Sequence, residues 1–133
     1  MKAVGYCRVS SEEQVIDGYS LETQQREIKD YCKNNNIELL QVYIDAGVSA
    51  FHNALKDRPQ GKFILEHIYN KDIEAVVSIS DDRMFRNIED SLVVNSFADK
   101  NNVQLVYTRQ LHYNTMDKYS SFLVSNMNAI MNQ

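Results

Sequence analysis

The sequence predicts an α/β fold in which helices alternate with the strands of a mainly parallel sheet. Two observations lead to this prediction. Four short apolar runs have the composition typical of strands, and amphipathic segments between them repeat their apolar residues at helical spacing. An order in which strands and helices alternate is that of parallel strands joined by right-handed crossovers. With 133 residues, the chain is long enough for one such domain with a single core.

The first strand is predicted over residues 3–9, an apolar run that stops at a Ser-Ser-Glu-Glu turn. Ser10 therefore lies at the carboxyl end of this strand, two residues after Arg8. Ligands of open α/β sheets bind beyond the carboxyl ends of the strands, so Ser10 is a candidate for chemistry. A second interpretation is that Ser10 caps a short helix, because Ser10-x-x-Glu13 fits the capping-box pattern. The local sequence leaves both roles open.

The next elements follow the same alternation. An amphipathic helix begins near Leu21 and ends at the Asn34-Asn35-Asn36 run, and residues 38–44 form the second strand. Arg58-Pro59 is expected to open the second helix, since proline is favoured at the first helical position.

The third strand, residues 73–79, has consecutive apolar residues without alternation, which predicts a central strand covered on both faces. A third helix is predicted over Ile88 to Lys100, with acids in its first turn and a lysine in its last. The fourth strand covers residues 103–107. A last amphipathic helix begins at Asp117 and carries no stop signal up to Gln133, so we expect the chain to be a fragment of a longer protein.

Four of the six arginines fall at strand ends or at a helix start on one edge of the predicted sheet: Arg8, Arg58, Arg83 and Arg86. Converging guanidinium groups suit a phosphate, whose oxygens accept their planar fork. A serine beside such a cluster indicates phosphoryl transfer, in which the protein stabilises charge on the phosphate oxygens. The alternative is that each arginine pairs with a nearby acid, for instance Arg83 with Asp82.

Other chemistries fit the sequence less well. A triad hydrolase would carry a G-x-S-x-G motif, and the three histidines show no catalytic spacing. A metal-dependent nuclease would need clustered carboxylates such as Asp45, Asp81 and Asp82, but acids in turns are more often caps and turn formers. A nucleotide-binding module would have a glycine-rich first turn, which is absent here.

Composition narrows the class of protein further. The formal net charge of −4 argues against a non-specific nucleic-acid binder, which is usually basic. Cys7 and Cys32 lack metal-site spacing and are expected to be reduced thiols. Neither a membrane span nor a signal peptide is recognisable, so a cytoplasmic location is expected.

The chain resembles the catalytic domain of the serine recombinases, the resolvase and invertase family, over essentially its whole length. The resemblance rests on four motifs that occur in the family's order: Tyr6-x-Arg8-Val9-Ser10 with Gln14; Gly18-Tyr19-Ser20-Leu21-Glu22-x-Gln24, similar to the large serine recombinases; Asp45-x-Gly47-x-Ser49-Ala50 with Arg58-Pro59; and Asp82-Arg83-x-x-Arg86.

This resemblance implies a resolvase-like three-layer domain with a central, mainly parallel sheet of four to five strands. Residues 1–115 would be the catalytic domain, and residues 116–133 would be the truncated start of the long C-terminal oligomerisation helix. Two departures stand out. Met84-Phe85 replaces the small or leucine residues expected within the last motif, and the chain ends at Gln133 before the family's Glu-Arg pair and DNA-binding region. We therefore expect residues 1–133 alone to bind DNA poorly and to cleave none.

The activity implied by the resemblance is site-specific DNA recombination, as in an integrase or a transposase of a mobile element. Ser10 would attack a DNA phosphodiester and form a covalent 5′-phosphoserine link, without a metal or any other cofactor. The implied catalytic residues are Ser10, Arg8, Arg58, Asp82, Arg83, Arg86 and Gln24, and the implied substrate-binding residues are Tyr6, Gln14, Asp45 and Ser49.

The implied partners are DNA and further copies of the chain, which would form a homodimer that assembles into a tetramer in the full-length protein. An accessory directionality factor is a candidate further partner, and no membrane is involved. The alternative function is a catalytically silent dimerisation or regulatory module that keeps the fold, as a remnant of a mobile element.

Overall fold

A computed structural model describes residues 1–11, 13, 19–49 and 53–109 of the chain. Gln14, the predicted domain boundary at residue 115 and the predicted helix from Asp117 lie outside the described residues. The elements are β1 (Lys2–Val9), α1 (Leu21–Asn34), β2 (Glu38–Ala46), a 3-10 turn (Leu55–Asp57), α2 (Gly61–Asn70), β3 (Ala75–Ser78), α3 (Asp81–Met84), α4 (Ile88–Lys100) and β4 (Gln104–Tyr107).

The four described strands form one sheet in the order β2-β1-β3-β4, and every pair of neighbours is parallel. This confirms the predicted α/β fold and the central position of β3, whose four residues are all buried. The chain passes from β1 to β2 on one side and later returns to place β3 on the other side of β1. The carboxyl ends of β1 and β3 therefore form the topological switch point at which open α/β sheets bind ligands.

Helices cover both faces of the sheet and give the domain three layers. Alternate side chains of β1 face opposite layers, as the two-residue period of a strand requires. On one face, Cys7 packs with Ile28 and Cys32 of α1. On the other, Val4 and Tyr6 share a cluster with residues of α2 and α4, including Ile64, Ile68 and Ala98.

Local capping explains why α1 and α4 begin where the sequence predicts. The Ser20 hydroxyl accepts the N–H of Thr23 at 3.2 Å before α1. The side-chain oxygen of Asn87 accepts the N–H of Asp90 at 2.9 Å before α4. Each cap satisfies a backbone donor that the first turn of a helix leaves without a partner.

The predicted start of α2 at Arg58-Pro59 is wrong, because the helix begins at Gly61. Arg58 is extended, with φ −88° and ψ 142°, as the steric clash with a following proline favours. The carboxylate of Asp45, at the end of β2, accepts the N–H groups of Gln60 at 2.9 Å and Gly61 at 3.0 Å. A side chain distant in sequence thus sets the start of this helix.

Gly61 is required by a close backbone approach. A β-carbon at this position would lie 2.3 Å from the carbonyl oxygen of Leu55. Any larger residue would therefore push α2 away from the preceding 3-10 turn.

In the described part of the chain, no helix combines the length and the apolar character needed to cross a bilayer.

Candidate active site

Three chain segments meet at the carboxyl ends of β1 and β3. Ser10 follows β1 directly, the loop after β2 passes beside it, and α3 follows β3. The N–H of Gly47 donates to the Val9 carbonyl at 2.8 Å, which fixes the loop to the end of β1. Nη1 of Arg83 donates to the Arg8 carbonyl at 3.1 Å, which ties α3 to the same strand. Hydrogen bonds to the backbone carbonyls at the end of β1 therefore hold the three segments together.

Ser10 is partly exposed and forms a reciprocal pair of hydrogen bonds with Glu13. Its hydroxyl accepts the N–H of Glu13 at 3.2 Å, and its own N–H donates to Oε1 of Glu13 at 3.1 Å. This is the geometry of a capping box. Ser10 therefore makes the hydrogen bonds of a cap in this structure. It also lies directly after β1, which is where a nucleophile would be expected.

Arg8 is 4% exposed and reaches from β1 towards both neighbouring segments. Its Nη1 donates to Oε1 of Glu13 at 3.3 Å and to the Val48 carbonyl at 2.9 Å, and its Nη2 donates to the Asp82 carbonyl at 3.3 Å. Burial, together with the nearby charge of Arg83, lowers the pKa of Arg8.

Arg83 is 3% exposed and is held by two carboxylates. Its Nη2 donates to Oε2 of Glu13 at 2.7 Å and to Oδ2 of Asp82 at 2.7 Å. Burial acts to lower the pKa of Arg83, but the hydrogen bonds to Glu13 and Asp82 outweigh it and raise the pKa. The pairing with Asp82 is the one that the alternative interpretation predicted.

Glu13 joins the nucleophile candidate to both arginines, since its two carboxylate oxygens bind different guanidinium groups. Partial burial acts to raise its pKa, but the hydrogen bonds from Arg83 and from the Ser10 N–H prevail and lower the pKa to about 2. Sequence reasoning did not select Glu13 as a site residue. The signal was available in the capping-box spacing from Ser10, which was interpreted only as a helix start.

Arg58 is 1% exposed and supports the site from below the surface. Its Nη1 donates to the Arg83 carbonyl at 2.6 Å and to the Tyr6 hydroxyl at 3.2 Å, while its Nε donates to the Asn53 carbonyl at 3.1 Å. These bonds fix the backbone of α3 at Arg83. Arg58 therefore belongs to the cluster that the sequence predicted.

Gln24 is fully buried and binds the end of β1 rather than the surface of the site. Its amide nitrogen donates to the carbonyls of Arg8 at 2.9 Å and Tyr19 at 2.8 Å, and its oxygen accepts the Arg8 N–H at 3.3 Å. These contacts position Arg8. The predicted catalytic role of Gln24 stays a prediction.

Tyr6 and Asp45, two of the predicted substrate-binding residues, are buried and bind each other. The Tyr6 hydroxyl donates to Oδ2 of Asp45 at 2.8 Å, and burial raises the pKa of Tyr6. Ser49, in the loop after β2, accepts a hydrogen bond from Asn53 at its carbonyl oxygen, at 3.1 Å. Contact of these three residues with a substrate stays a prediction, whereas the internal contacts of Tyr6 and Asp45 support the site.

Arg86, the fourth arginine of the predicted cluster, shares none of the contacts given above for Arg8, Arg58 and Arg83. It pairs with Asp90 one turn along α4, at 2.9 Å, and its side chain is 41% exposed.

Asp82 instead belongs to the cluster. Its second oxygen accepts the Ser80 hydroxyl, and although burial acts to raise its pKa, the hydrogen bonds from Arg83 and Ser80 lower it.

The aromatic ring of Tyr19 lies against the cluster and was also missed as a site residue. The guanidinium carbon of Arg83 is 4.8 Å from the ring centroid, and that of Arg109 is 5.5 Å from it. Such cation–π contacts hold a guanidinium in one orientation. Tyr19 was visible in the sequence only as part of a family motif.

The three buried arginines retain unused donor groups. Within the described part of the chain, Nε of Arg8, Nη2 of Arg58 and Nε of Arg83 are buried and have no hydrogen-bond partner. Buried donors without acceptors are rare in native proteins and call for an explanation. A cluster with spare guanidinium donors beside a serine hydroxyl can bind an anion and stabilise charge that develops on it. Among the residues that the structure describes, no group of three or more His, Cys, Asp or Glu side chains could hold a metal ion.

Comparisons with known proteins agree with this fold. The family model described as "Resolvase, N terminal domain" matches residues 3–133. The chain therefore belongs to the family of resolvase N-terminal domains, and its fold is that of serine recombinase catalytic domains.

Two solved structures illustrate the likeness. The N-terminal catalytic domain of TP901-1 integrase is 25% identical with a TM-score of 0.73, and the match covers 99% of this chain and 97% of that one. A resolvase family site-specific recombinase from Streptococcus pneumoniae is 26% identical with a TM-score of 0.69, and the match covers 100% and 92%.

A curated relative shares more sequence over a shorter stretch. "Uncharacterized immunity region protein 3" of Bacillus phage phi105 is 43% identical over 70 residues, which are 50% of this chain and 79% of the relative.

Proposed function

We propose that the chain is the catalytic domain of a site-specific DNA recombinase that cleaves and rejoins DNA through a covalent 5′-phosphoserine intermediate at Ser10. One observation carries the proposal. At the switch point of the sheet, a single carboxylate contacts Ser10 and the buried guanidinium groups of Arg8 and Arg83 together. The same three groups would contact a phosphate of similar size and charge. Membership of the resolvase N-terminal domain family supports the assignment of that phosphate to DNA.

The proposed reaction is an in-line displacement at phosphorus. The hydroxyl oxygen of Ser10 forms a bond to the phosphorus and loses its proton, and the bond from phosphorus to the 3′-oxygen breaks as that oxygen gains a proton. Arg8 and Arg83 stabilise the charge on the phosphate oxygens, and Arg58 and Gln24 position them. Attack by the free 3′-hydroxyl of a new partner strand reverses these steps and releases Ser10.

The proposed partners follow from this reaction. Exchange between two duplexes requires one active site for each of four strands, which suits a homodimer that assembles into a tetramer, with an accessory directionality factor as a candidate partner. The likeness to the catalytic domain of an integrase supports a role in the movement of a genetic element. The catalytically silent module remains the second candidate, because Ser10 and both arginines are engaged by Glu13 in this structure.

Covalent trapping tests the proposal. The protein from the complete reading frame that contains residues 1–133 is incubated with labelled DNA from both flanks of its own gene and then denatured in detergent. We expect a covalent protein–DNA adduct, with the modified peptide carrying the phosphate on Ser10. The Ser10→Ala variant should form none, because it lacks the attacking oxygen.

Ser11→Ala is the matched control, since it removes the neighbouring, exposed hydroxyl from the same turn. It should form adducts at the level of the unsubstituted protein. Adducts that persist in Ser10→Ala would exclude Ser10 as the nucleophile. Failure of the unsubstituted protein to form adducts on any flanking DNA that it binds would favour the silent module.

A further inference from the structure

We infer that Glu13 acts as an internal substitute for the scissile phosphate, so that its carboxylate must leave the arginine pair before DNA can bind. The inference rests on the proposed function, since it takes Arg8 and Arg83 as the phosphate-binding pair. It goes beyond that function because it assigns Glu13 as the residue that closes the site and sets the apparent affinity for the substrate.

The geometry of the carboxylate is that of a bound anion. Oε1 lies 3.3 Å from Nη1 of Arg8 and 3.1 Å from the backbone nitrogen of Ser10, while Oε2 lies 2.7 Å from Nη2 of Arg83. Two guanidinium groups and one backbone N–H thus converge on one planar anion. Arg83 donates to Glu13 from 70 positions away in the sequence, so the arrangement is more than a local helix cap.

A phosphodiester cannot share these donors with Glu13. Nη2 of Arg83 is already shared by the carboxylates of Glu13 and Asp82, so a phosphodiester would be a third anion at contact distance in a largely buried site, where like charges repel strongly. Arg8 and Arg83 are 4% and 3% exposed, so they cannot turn to bind a second anion elsewhere without leaving the cluster. Binding of substrate therefore requires the Glu13 side chain to move out.

Glu13 also restrains the nucleophile. Its N–H donates to the Ser10 hydroxyl at 3.2 Å, and its carboxylate occupies the Ser10 N–H. A hydroxyl oxygen that accepts a hydrogen bond is a weaker nucleophile. The Ser10 N–H, once released from the Glu13 carboxylate, would be free to donate to a phosphate oxygen in its place. Displacement of the Glu13 carboxylate would thus open the phosphate position and release the Ser10 N–H in one step, while release of the Ser10 hydroxyl requires the backbone of the turn to move as well.

Phosphate titration of the 133-residue chain tests the inference directly. Inorganic phosphate is added to the ¹⁵N-labelled protein in low-chloride buffer, and the amide signals of Ser10 and Arg8 report binding at the site. Glu13→Gln keeps the size of the side chain and removes its charge. Because the apparent affinity falls with the fraction of open sites, we expect Glu13→Gln to bind phosphate about tenfold or more tightly than the unsubstituted chain.

Glu74→Gln is the matched control. Glu74 is exposed and directly precedes β3, and its carboxylate accepts the N–H of Lys2 at 3.5 Å, so the substitution removes the same charge at the amino end of the sheet, opposite to Ser10. It should leave the phosphate affinity at Ser10 within about twofold of the unsubstituted chain, since long-range charge effects are screened. Glu13→Ala provides a second variant with the same expected gain if Glu13→Gln disturbs the turn.

The inference is overturned by equal phosphate affinity in Glu13→Gln and the unsubstituted chain, by an equal gain in Glu74→Gln, or by a gain that leaves the Ser10 amide unmoved. Its failure can be separated from failure of the proposed function. Adducts at Ser10 without any gain in phosphate affinity would reject the role of Glu13 alone. A gain at Ser10 in a protein that forms no adducts would reject DNA cleavage alone.

Discussion

Glu13 shows how a single carboxylate can bridge two buried cations. An arginine moved out of water needs a partner and satisfied donors, because the cost of desolvating its charge is several kcal/mol. Arg8 and Arg83 share the Glu13 carboxylate, and Arg83 also binds Asp82. The site can therefore remain folded around its arginines while no substrate is bound.

The low pKa of Glu13 predicts a pH-dependent contribution to stability. Its pKa falls from 4.5 to about 2 on folding, so the charged carboxylate stabilises the fold above about pH 4.5 and loses this effect as the pH falls towards 2. With 22% of the side chain exposed, we expect Glu13→Gln to lower the free energy of unfolding by about 2 kcal/mol at pH 7. Urea unfolding between pH 7 and pH 3 measures the difference.

The pH dependence of the difference in the free energy of unfolding shows whether the charge of Glu13 is its cause. The gap between Glu13→Gln and the unsubstituted chain should be constant above about pH 5 and should narrow below it. A gap of the same size at pH 7 and at pH 3 would show that the ion pairs of Glu13 contribute nothing to folding.

Arg58 and Arg86 provide a matched comparison of a buried and an exposed arginine. Arg58 is 1% exposed and binds three oxygen atoms, so Arg58→Ala should lower the free energy of unfolding by about 3 kcal/mol through lost hydrogen bonds and a cavity. Arg86 is exposed and paired with Asp90, so Arg86→Ala should change it by at most about 0.5 kcal/mol. Denaturant unfolding of both variants measures the two losses, and losses of equal size would contradict the assignment of Arg58 to the interior.

At the scale of elements, side chains join the ends of β1 and β2 to the helices that lie beside them. Asp45 at the end of β2 caps α2, and Gln24 of α1 binds the backbone of β1 at Arg8. Arg83 of α3 returns to the same backbone. The position of every cationic group in the site thus depends on a helix that is anchored to a strand end.

Removal of the Asp45 side chain tests whether the start of α2 is held by the end of β2. Asp45→Ala leaves the N–H groups of Gln60 and Gly61 and the hydroxyl of Tyr6 without their acceptor, so we expect a loss of about 2 kcal/mol in the free energy of unfolding. Asp57→Ala, an exposed acid in the adjacent 3-10 turn, should cost at most about 0.5 kcal/mol. Thermal and denaturant unfolding of the pair measures both, and equal losses would exclude a capping role for Asp45.

At the scale of the whole molecule, sheet order decides where the chemistry can occur. The order β2-β1-β3-β4 sends the chain to opposite sides of β1, so that the crevice beyond β1 and β3 is open between two layers of helices. The molecule carries a net charge of −4, yet it gathers three buried arginines at this crevice. With the Glu13 carboxylate displaced, these arginines would provide a local field attractive to phosphate even in an acidic protein.

The sequence alone determined the order of the four strands and of the three longer helices between them, the parallel sheet, the position of Ser10 at a strand end and the family. These properties rest on local periodicity, on turn residues and on short motifs that a chain displays without folding. Only the tertiary structure decided that Arg58 and Arg83 join Arg8 while Arg86 pairs with Asp90. It also decided that α2 begins at Gly61, and that Glu13 reaches Arg83. The physical reason is that these outcomes depend on contacts between residues far apart in sequence, whose distances are set by how the helices pack on the sheet.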